Sequence, residues 1–148
     1  MASNIGMHLS ELIKIAHSDP QYSGFENLTD LAKKVHRINR EAGWWDDYDL
    51  FEKVCPEALP YFFATKLALI HSEASEILEG SRKGLPDDHL PHRSAEEVEC
   101  LDLLIRLLDY MGAKGFDVSG TIVEKMAYNK VRSDHKREER QSEGGKAF

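Results

Sequence analysis

The stretch that decides the fold is EVECLDLLIRLLDYM, residues 97–111, in which ten of the fifteen positions are apolar. Apolar residues fall on most sides of a helix with this sequence, and such a helix is typically buried. Two acids, Glu99 and Asp102, interrupt the first half of this apolar stretch. They are three residues apart and share one helix face. Because a buried carboxylate is unfavourable unless it is paired or binds a metal, these acids are candidate site residues.

A second pair of acids precedes the first along the chain. Glu73 and Glu76 are also three residues apart, and they border the apolar stripe of a predicted helix at 60–79. The 22 residues between Glu76 and Glu99 allow an antiparallel hairpin in which the two pairs face each other. Four carboxylates without cysteine or histidine suit a hard cation, so we expect Mg²⁺, with Mn²⁺ as a possible substitute.

Other interpretations of the acids stay open. Pairs with this spacing occur on many solvated helix faces, and Glu99 and Asp102 have Arg106 nearby as an alternative partner. Glu96 and Glu97 lie in the first turn of their helix, where they serve capping and the helix dipole, so they are not predicted as ligands. A di-iron bundle is disfavoured because no histidine stands three residues after a glutamate.

Helix signals along the rest of the chain predict an all-α fold, a four- to five-helix bundle completed by oligomerisation. No segment predicts a convincing strand. The expected organisation is an N-terminal extension (1–26), a helical domain (27–134) and a charged tail (135–148). The predicted helices are 10–17, 28–42, 60–79, 95–111 and a last one that ends at about 134. Gly43 and Gly80 are predicted to end the second and third of these helices, Ser94 begins a capping box for the fourth, and Asp117 or Ser119 caps the last.

Composition limits the class of protein. A chain of 148 residues suits one domain, and its net charge of −7 argues against a general nucleic-acid binder. No apolar run is long enough to span a membrane, and the first ten residues do not resemble a secretory signal. Cys55 and Cys100 have no metal-ligand or redox spacing. We therefore expect a cytoplasmic protein with free thiols and with neither a membrane nor a nucleic-acid polymer as partner.

Four blocks of sequence resemble, in order, the short single-domain MazG-like proteins of the all-α nucleotide pyrophosphohydrolase superfamily, which also includes the dimeric dUTPase and dCTP pyrophosphatase groups. The resemblance covers roughly residues 28–132. The first 26 residues have no counterpart, and after residue 132 the chain departs from the pattern of similar sequences. The blocks are GWWDD (43–47), KLALIHSEASEILEG (66–80), EVECLDLLIRLLDYMGAKGFD (97–117) and EKMAYNKVR (124–132).

The resemblance implies hydrolysis of a nucleoside triphosphate between its α and β phosphates, giving a monophosphate and pyrophosphate. It also implies that Mg²⁺ is held by Glu73, Glu76, Glu99 and Asp102, and that the protein is a homo-oligomer, a dimer or tetramer, with sites near subunit interfaces. Which carboxylate acts as the base stays open, as do the base and sugar of the substrate. The alternative is a non-catalytic regulatory or oligomerisation module with the same fold.

Further residues are predicted to contact the substrate. Trp45 is the predicted stacking surface for the base, although it and Trp44 alternatively seal a core. The basic residues near the end of the last helix suit phosphate oxygens, while the alternative is a solvated basic helix end favoured by the helix dipole. The predicted substrate residues in that helix are Lys125, Asn129, Lys130 and Arg132.

Overall fold

A computed structural model describes residues 9–132, so the predicted tail at 135–148 lies outside the described residues. Within this range the chain forms six α-helices and two 3₁₀ turns, with no extended strand, which confirms the all-α prediction and adds one helix to it. The helices are α1 (Leu9–Ser18), α2 (Leu28–Glu41), α3 (Asp46–Val54), α4 (Leu59–Lys83), α5 (Ala95–Ala113) and α6 (Val118–Val131). The 3₁₀ turns are Pro20–Tyr22 and Pro56–Ala58.

The described residues divide into two compact units. The larger unit is Asp30–Phe116, and the described part of the smaller one consists of residues 9–29 and 117–132. In the smaller unit, α1 packs against α6. The core of the smaller unit consists of Ala16, Tyr22, Val123 and Ala127.

Asp117 and Ser119, which were predicted as alternative caps of α6, make different hydrogen bonds. Asp117 caps α6, since its carboxylate accepts a hydrogen bond from the Gly120 N–H at 3.0 Å. Ser119 instead serves the start of α2, where its Oγ accepts from the Thr29 N–H at 3.0 Å. The same hydroxyl donates to the Glu26 carbonyl at 2.9 Å. These bonds join α6 to the chain that leads into α2.

In the larger unit, α4 and α5 form the predicted antiparallel hairpin. Contacts between them run in opposite directions along the two helices: Gly80 lies against Glu96, Glu73 against Arg106, and Phe63 against Tyr110. Ser94 caps α5 as predicted, because its Oγ accepts from the Glu97 N–H at 3.1 Å. The hairpin therefore places Glu73 and Glu76 of α4 opposite Glu99 of α5.

Gly80 does not end α4, contrary to the prediction. The helix continues to Lys83 and ends at Gly84, whose φ of +61° is the left-handed conformation that favours glycine at a helix end. Gly80 instead permits close packing of the hairpin, since a Cβ there would lie 2.8 Å from the backbone nitrogen of Glu96. The glycine is required by the neighbouring helix and not by a turn.

The short helix α3 was not predicted. Gly43, at a φ of +86°, marks the end of α2 as expected, but the chain then forms another helix after the two tryptophans. Its nine residues make only about two and a half turns, which is a short segment for an argument from periodicity. Tyr48 and Phe51 hold α3 against Phe62 of α4, with ring centroids 5.7 and 6.4 Å apart.

The prediction that residues 98–111 are buried on most sides is wrong for the single chain. Leu101, Leu104 and Ile105 are 48%, 42% and 41% exposed. On α4, Leu67 and Leu78 are exposed as well. One neighbouring helix covers only one side of a helix that is apolar all round. Among the described residues, no helix has both the length and the apolar character to cross a membrane.

We expect Gly80→Ala to destabilise the protein although alanine favours helix formation by about 1 kcal/mol. The added methyl group would force α4 and α5 apart, and overpacking of this kind costs about 1–3 kcal/mol. Urea denaturation measures the change. Ser81→Ala on the same helix is the control, because Ser81 is exposed and its replacement should change stability by less than about 0.5 kcal/mol. Equal stability of the two variants would contradict the packing argument.

Candidate metal centre

Three of the four predicted carboxylates converge in the hairpin of α4 and α5. One oxygen from each of Glu73, Glu76 and Glu99 lies within 4.8 Å of the others. Glu73 is 4% exposed, Glu99 is half-buried and Glu76 is exposed. Asp102 does not belong to this group; its side chain lines a neighbouring cavity. The structure thus brings Glu99 to the acids of α4 and leaves Asp102 one turn further along α5.

Repulsion among the acids affects the acidity of Glu99. Burial raises the pKa of the Glu99 carboxyl, and the charges of Glu76, Asp102 and Glu73 raise it further. A hydrogen bond with the Glu73 side chain acts in the same direction. The protein alone therefore holds this carboxylate in an unfavourable state, which a bound cation would relieve.

Arg106 supplies a counter-charge to the buried acid of α4. Its Nε lies 2.5 Å from Oε1 of Glu73. Arg106 was considered as an alternative partner for Glu99 and Asp102, but it reaches across the hairpin instead. Its Nε is buried and makes no well-aligned hydrogen bond, so the contact depends on charge more than on geometry.

The donor set fits a hard divalent cation. The converging atoms are all carboxylate oxygens, and no histidine or cysteine of the described residues joins them. Mg²⁺ and Mn²⁺ prefer oxygen ligands, whereas structural zinc sites and di-iron bundles use sulfur or nitrogen ligands. Because Arg106 contacts only Glu73 among these three acids, negative charge is left for a cation to neutralise.

A cavity of about 280 Å³ shares Arg106 with this group of acids. Trp44 is 62% exposed and lies in its wall. Lys66 Nζ donates a hydrogen bond to the Trp44 carbonyl at 2.9 Å and lies 4.5 Å from the ring centroid of Trp45. The lining residues are Asn39, Trp44, Lys66, Leu69, Asp102, Ile105, Arg106 and Asp109. The cavity thus combines two cationic and two acidic side chains with amide and aromatic groups.

Charges in the cavity wall interact with one another. Burial lowers the pKa of the Lys66 ammonium, the carboxylate of Asp109 raises it, and the charge of Arg106 lowers it. Lys66 stands seven residues before Glu73, and Arg106 stands seven after Glu99. Seven residues make about two helical turns, so each cation shares a face with an acid of its own helix. This spacing is the sequence signal that could have identified both cations.

Trp45 does not have the position that was predicted for it. Its side chain is 2% exposed, and its Nε1 donates to both carboxylate oxygens of Asp109 at 3.0 and 3.1 Å. Asp109 is itself buried and lies 2.8 Å from His36 Nδ1. Trp45 therefore belongs to the core and offers no free face to a base, whereas Trp44 faces the cavity. Neighbouring residues point in different directions, and composition alone could not tell which tryptophan is inside.

The predicted substrate residues of α6 belong to the smaller unit. Lys130 Nζ bonds to the Gln21 side chain and lies 5.3 Å from the ring centroid of Tyr22. Oδ1 of Asn129 is buried without a hydrogen-bond partner. Lys125 and Arg132 both lie near the ring of Tyr128, at 5.2 and 5.7 Å. Lys130 thus has a packing role, and a phosphate-binding role for these four residues stays a prediction.

We expect Glu99→Gln to raise the thermal stability of the protein in EDTA at pH 7. Because folding raises the pKa of Glu99, the protonated or neutral side chain suits the fold better. The wild type should lose stability as the pH rises from the ordinary glutamate pKa of 4.5 through the raised pKa of Glu99 in the folded state, and the neutral amide avoids that loss. Differential scanning calorimetry should show a higher midpoint for Glu99→Gln than for the wild type.

Glu79→Gln is the matched control for this experiment. Glu79 lies on α4, and a hydrogen bond from Lys83 lowers the pKa of its carboxyl. Removing that charge therefore brings no gain in stability at pH 7. If Glu99→Gln melts no higher than the wild type, the repulsion among the three acids is not significant.

The comparisons with family models, with curated proteins and with solved structures gave no match. What these residues bind therefore has to follow from their own geometry and charge.

Proposed function

We propose that the protein is a Mg²⁺-dependent nucleoside triphosphate pyrophosphohydrolase of the MazG-like, all-α type. It would convert a ribo- or deoxyribonucleoside triphosphate and water to the monophosphate and pyrophosphate. The observation that carries the proposal is the convergence of Glu73, Glu76 and Glu99 from two helices, beside a cavity with cationic and aromatic side chains. The ordered resemblance over residues 28–132 supports it independently.

The charge of the chain is consistent with this proposal. A protein of net charge −7 needs a cation between its carboxylates and a polyphosphate. Glu73, Glu76 and Glu99 would hold Mg²⁺ or its substitute Mn²⁺, and Asp102 is the fourth carboxylate of the set. When bound, the metal neutralises phosphate oxygens and activates water as a Lewis acid.

Residues of the cavity would bind the rest of the substrate. The ammonium group of Lys66 is held in place by the Trp44 carbonyl and suits a phosphate oxygen. The exposed ring of Trp44 offers a stacking face to a nucleobase, and stacking on an aromatic ring accepts any base. Asp109 fixes the Trp45 indole and so positions the adjacent Trp44. These contacts orient the substrate and leave the identity of its base open.

The apolar surface of α5 supports the proposed assembly into a homodimer or homotetramer. The proposed location of this assembly is the cytoplasm. Leu101, Leu104 and Ile105 are each more than 40% exposed and follow one another at helical spacing. Exposed apolar patches of this kind mark protein interfaces. The same surface would serve a non-catalytic oligomerisation module, which is the second candidate function. Activity measurements separate the two candidates, because only the enzyme releases pyrophosphate.

We expect pyrophosphate, and not orthophosphate, to be released from at least one nucleotide of a panel of ribo- and deoxyribonucleoside triphosphates in the presence of Mg²⁺. Glu76→Gln and Glu99→Gln should each lower kcat at least about 100-fold, since each removes a charged oxygen ligand. Glu79→Gln, three residues after Glu76, should keep wild-type turnover. A panel without any hydrolysis would favour the oligomerisation module.

We expect the two tryptophans to respond differently to substitution. Trp44→Ala should raise KM for the best nucleotide about 10-fold, since base stacking contributes about 1–3 kcal/mol, and should leave the melting temperature nearly unchanged. Trp45→Phe loses the bond to Asp109 and should lower stability by about 1–3 kcal/mol. Steady-state kinetics and thermal melts on both variants test this. A stable Trp44→Ala variant with unchanged KM would remove Trp44 from the substrate site.

A further inference from the structure

Arg106 belongs to both parts of the site. Its Nε contacts Glu73 in the group of acids, and its side chain also lines the cavity that contains Lys66 and Trp44. The side chain of Arg106 is 36% exposed, whereas that of Glu73 is 5% exposed. The acid is therefore held in the interior, while part of the arginine reaches the solvent in the cavity.

The contact between the two side chains is poorly formed. Nε of Arg106 is buried, yet no acceptor is aligned with its N–H. A buried ion pair is favourable only when good geometry offsets the desolvation of both charges. The guanidinium of Arg106 also carries further N–H donors, whose planar arrangement matches phosphate oxygens. Arg106 is thus a counter-charge for Glu73 that a divalent cation can replace.

We propose that Arg106 is a displaceable counter-ion of the metal centre. A divalent cation that binds Glu73 takes over the neutralisation of this acid and frees the guanidinium, which then binds phosphate oxygens of a polyphosphate in the cavity. The inference rests on the proposed function. It makes metal binding and polyphosphate binding cooperative, and linkage requires that each tightens the other by the same factor.

The displacement can be observed in the wild-type protein by NMR of the arginine Nε–H groups. The Arg106 signal is assigned by its loss in Arg106→Lys. In EDTA this N–H should exchange slowly with solvent. Mg²⁺ should shift the signal and speed its exchange several-fold, and inorganic pyrophosphate added afterwards should slow the exchange again. Arg93 is the matched control, because its surface pair with Glu97 at 2.8 Å should not respond to either addition.

The outcomes separate this inference from the proposed function. If calorimetry shows that Mg²⁺ binds while the Arg106 signal and its exchange stay the same, the ion pair is permanent and the inference is overturned alone. If Mg²⁺ gives neither binding heat nor thermal stabilisation, the metal centre itself is wrong and both proposals fail.

A variant tests the two roles of the arginine by titration calorimetry. Arg106→Gln should bind Mn²⁺ alone about tenfold more tightly, because the competing charge is gone. At saturating Mg²⁺ it should bind inorganic pyrophosphate about tenfold more weakly, which corresponds to the loss of one charge-assisted contact. Tighter Mn²⁺ binding with unchanged pyrophosphate binding would overturn the inference, since a merely repulsive charge gives that result. If the variant does not fold, the NMR experiment on the wild type decides.

Discussion

The carboxylate of Glu73 is buried in the hairpin of α4 and α5, and a buried charge has to be neutralised by its surroundings. For Glu73 of α4, these surroundings are provided by the neighbouring helix α5. Gly80 lets α5 approach α4 closely, and that approach places Arg106 and Glu99 next to Glu73. One of these neighbours is a cation and the other is an acid. The packing that forms the hairpin therefore also creates the electrostatic conflict at its centre.

A second buried carboxylate, that of Asp109, has the opposite character. It accepts hydrogen bonds from Trp45 and contacts His36, and these partners come from chain segments well before α5. Its polar atoms are satisfied within the protein, so it joins α2, the turn before α3 and α5 into one core. The two acids thus differ: the polar partners of Asp109 satisfy it and stabilise the fold, while Glu73 has only the poorly aligned Arg106 as its counter-charge.

The sequence predicts the parts that depend on local pattern. The spacing of the two pairs of acids predicts the hairpin, and the capping box predicts the start of α5 at Ser94. Features that depend on contacts between distant residues could not be predicted. The sequence alone predicts a helix end at Gly80, because the close approach of the Glu96 backbone is not apparent from it. The sequence also does not distinguish Trp44 from Trp45, since only the fold shows that Trp45 is the one hydrogen-bonded to Asp109. The sequence also does not predict that one side of α5 is exposed, because periodicity shows that a helix face is apolar but not which element covers it.

The unfavourable features of the larger unit are concentrated at one place. Glu99 has a raised pKa, Glu73 has a poorly aligned partner, and burial lowers the pKa of Lys66. Evolution tolerates such conflicts at functional sites, where a ligand resolves them, and avoids them in parts that only maintain the fold. A hairpin needed for assembly alone would be more stable with apolar residues at 73 and 99. The acids at 73, 76 and 99, which converge beside a cavity lined by Lys66 and Arg106, therefore favour the proposal of a site for a divalent cation and an anionic substrate.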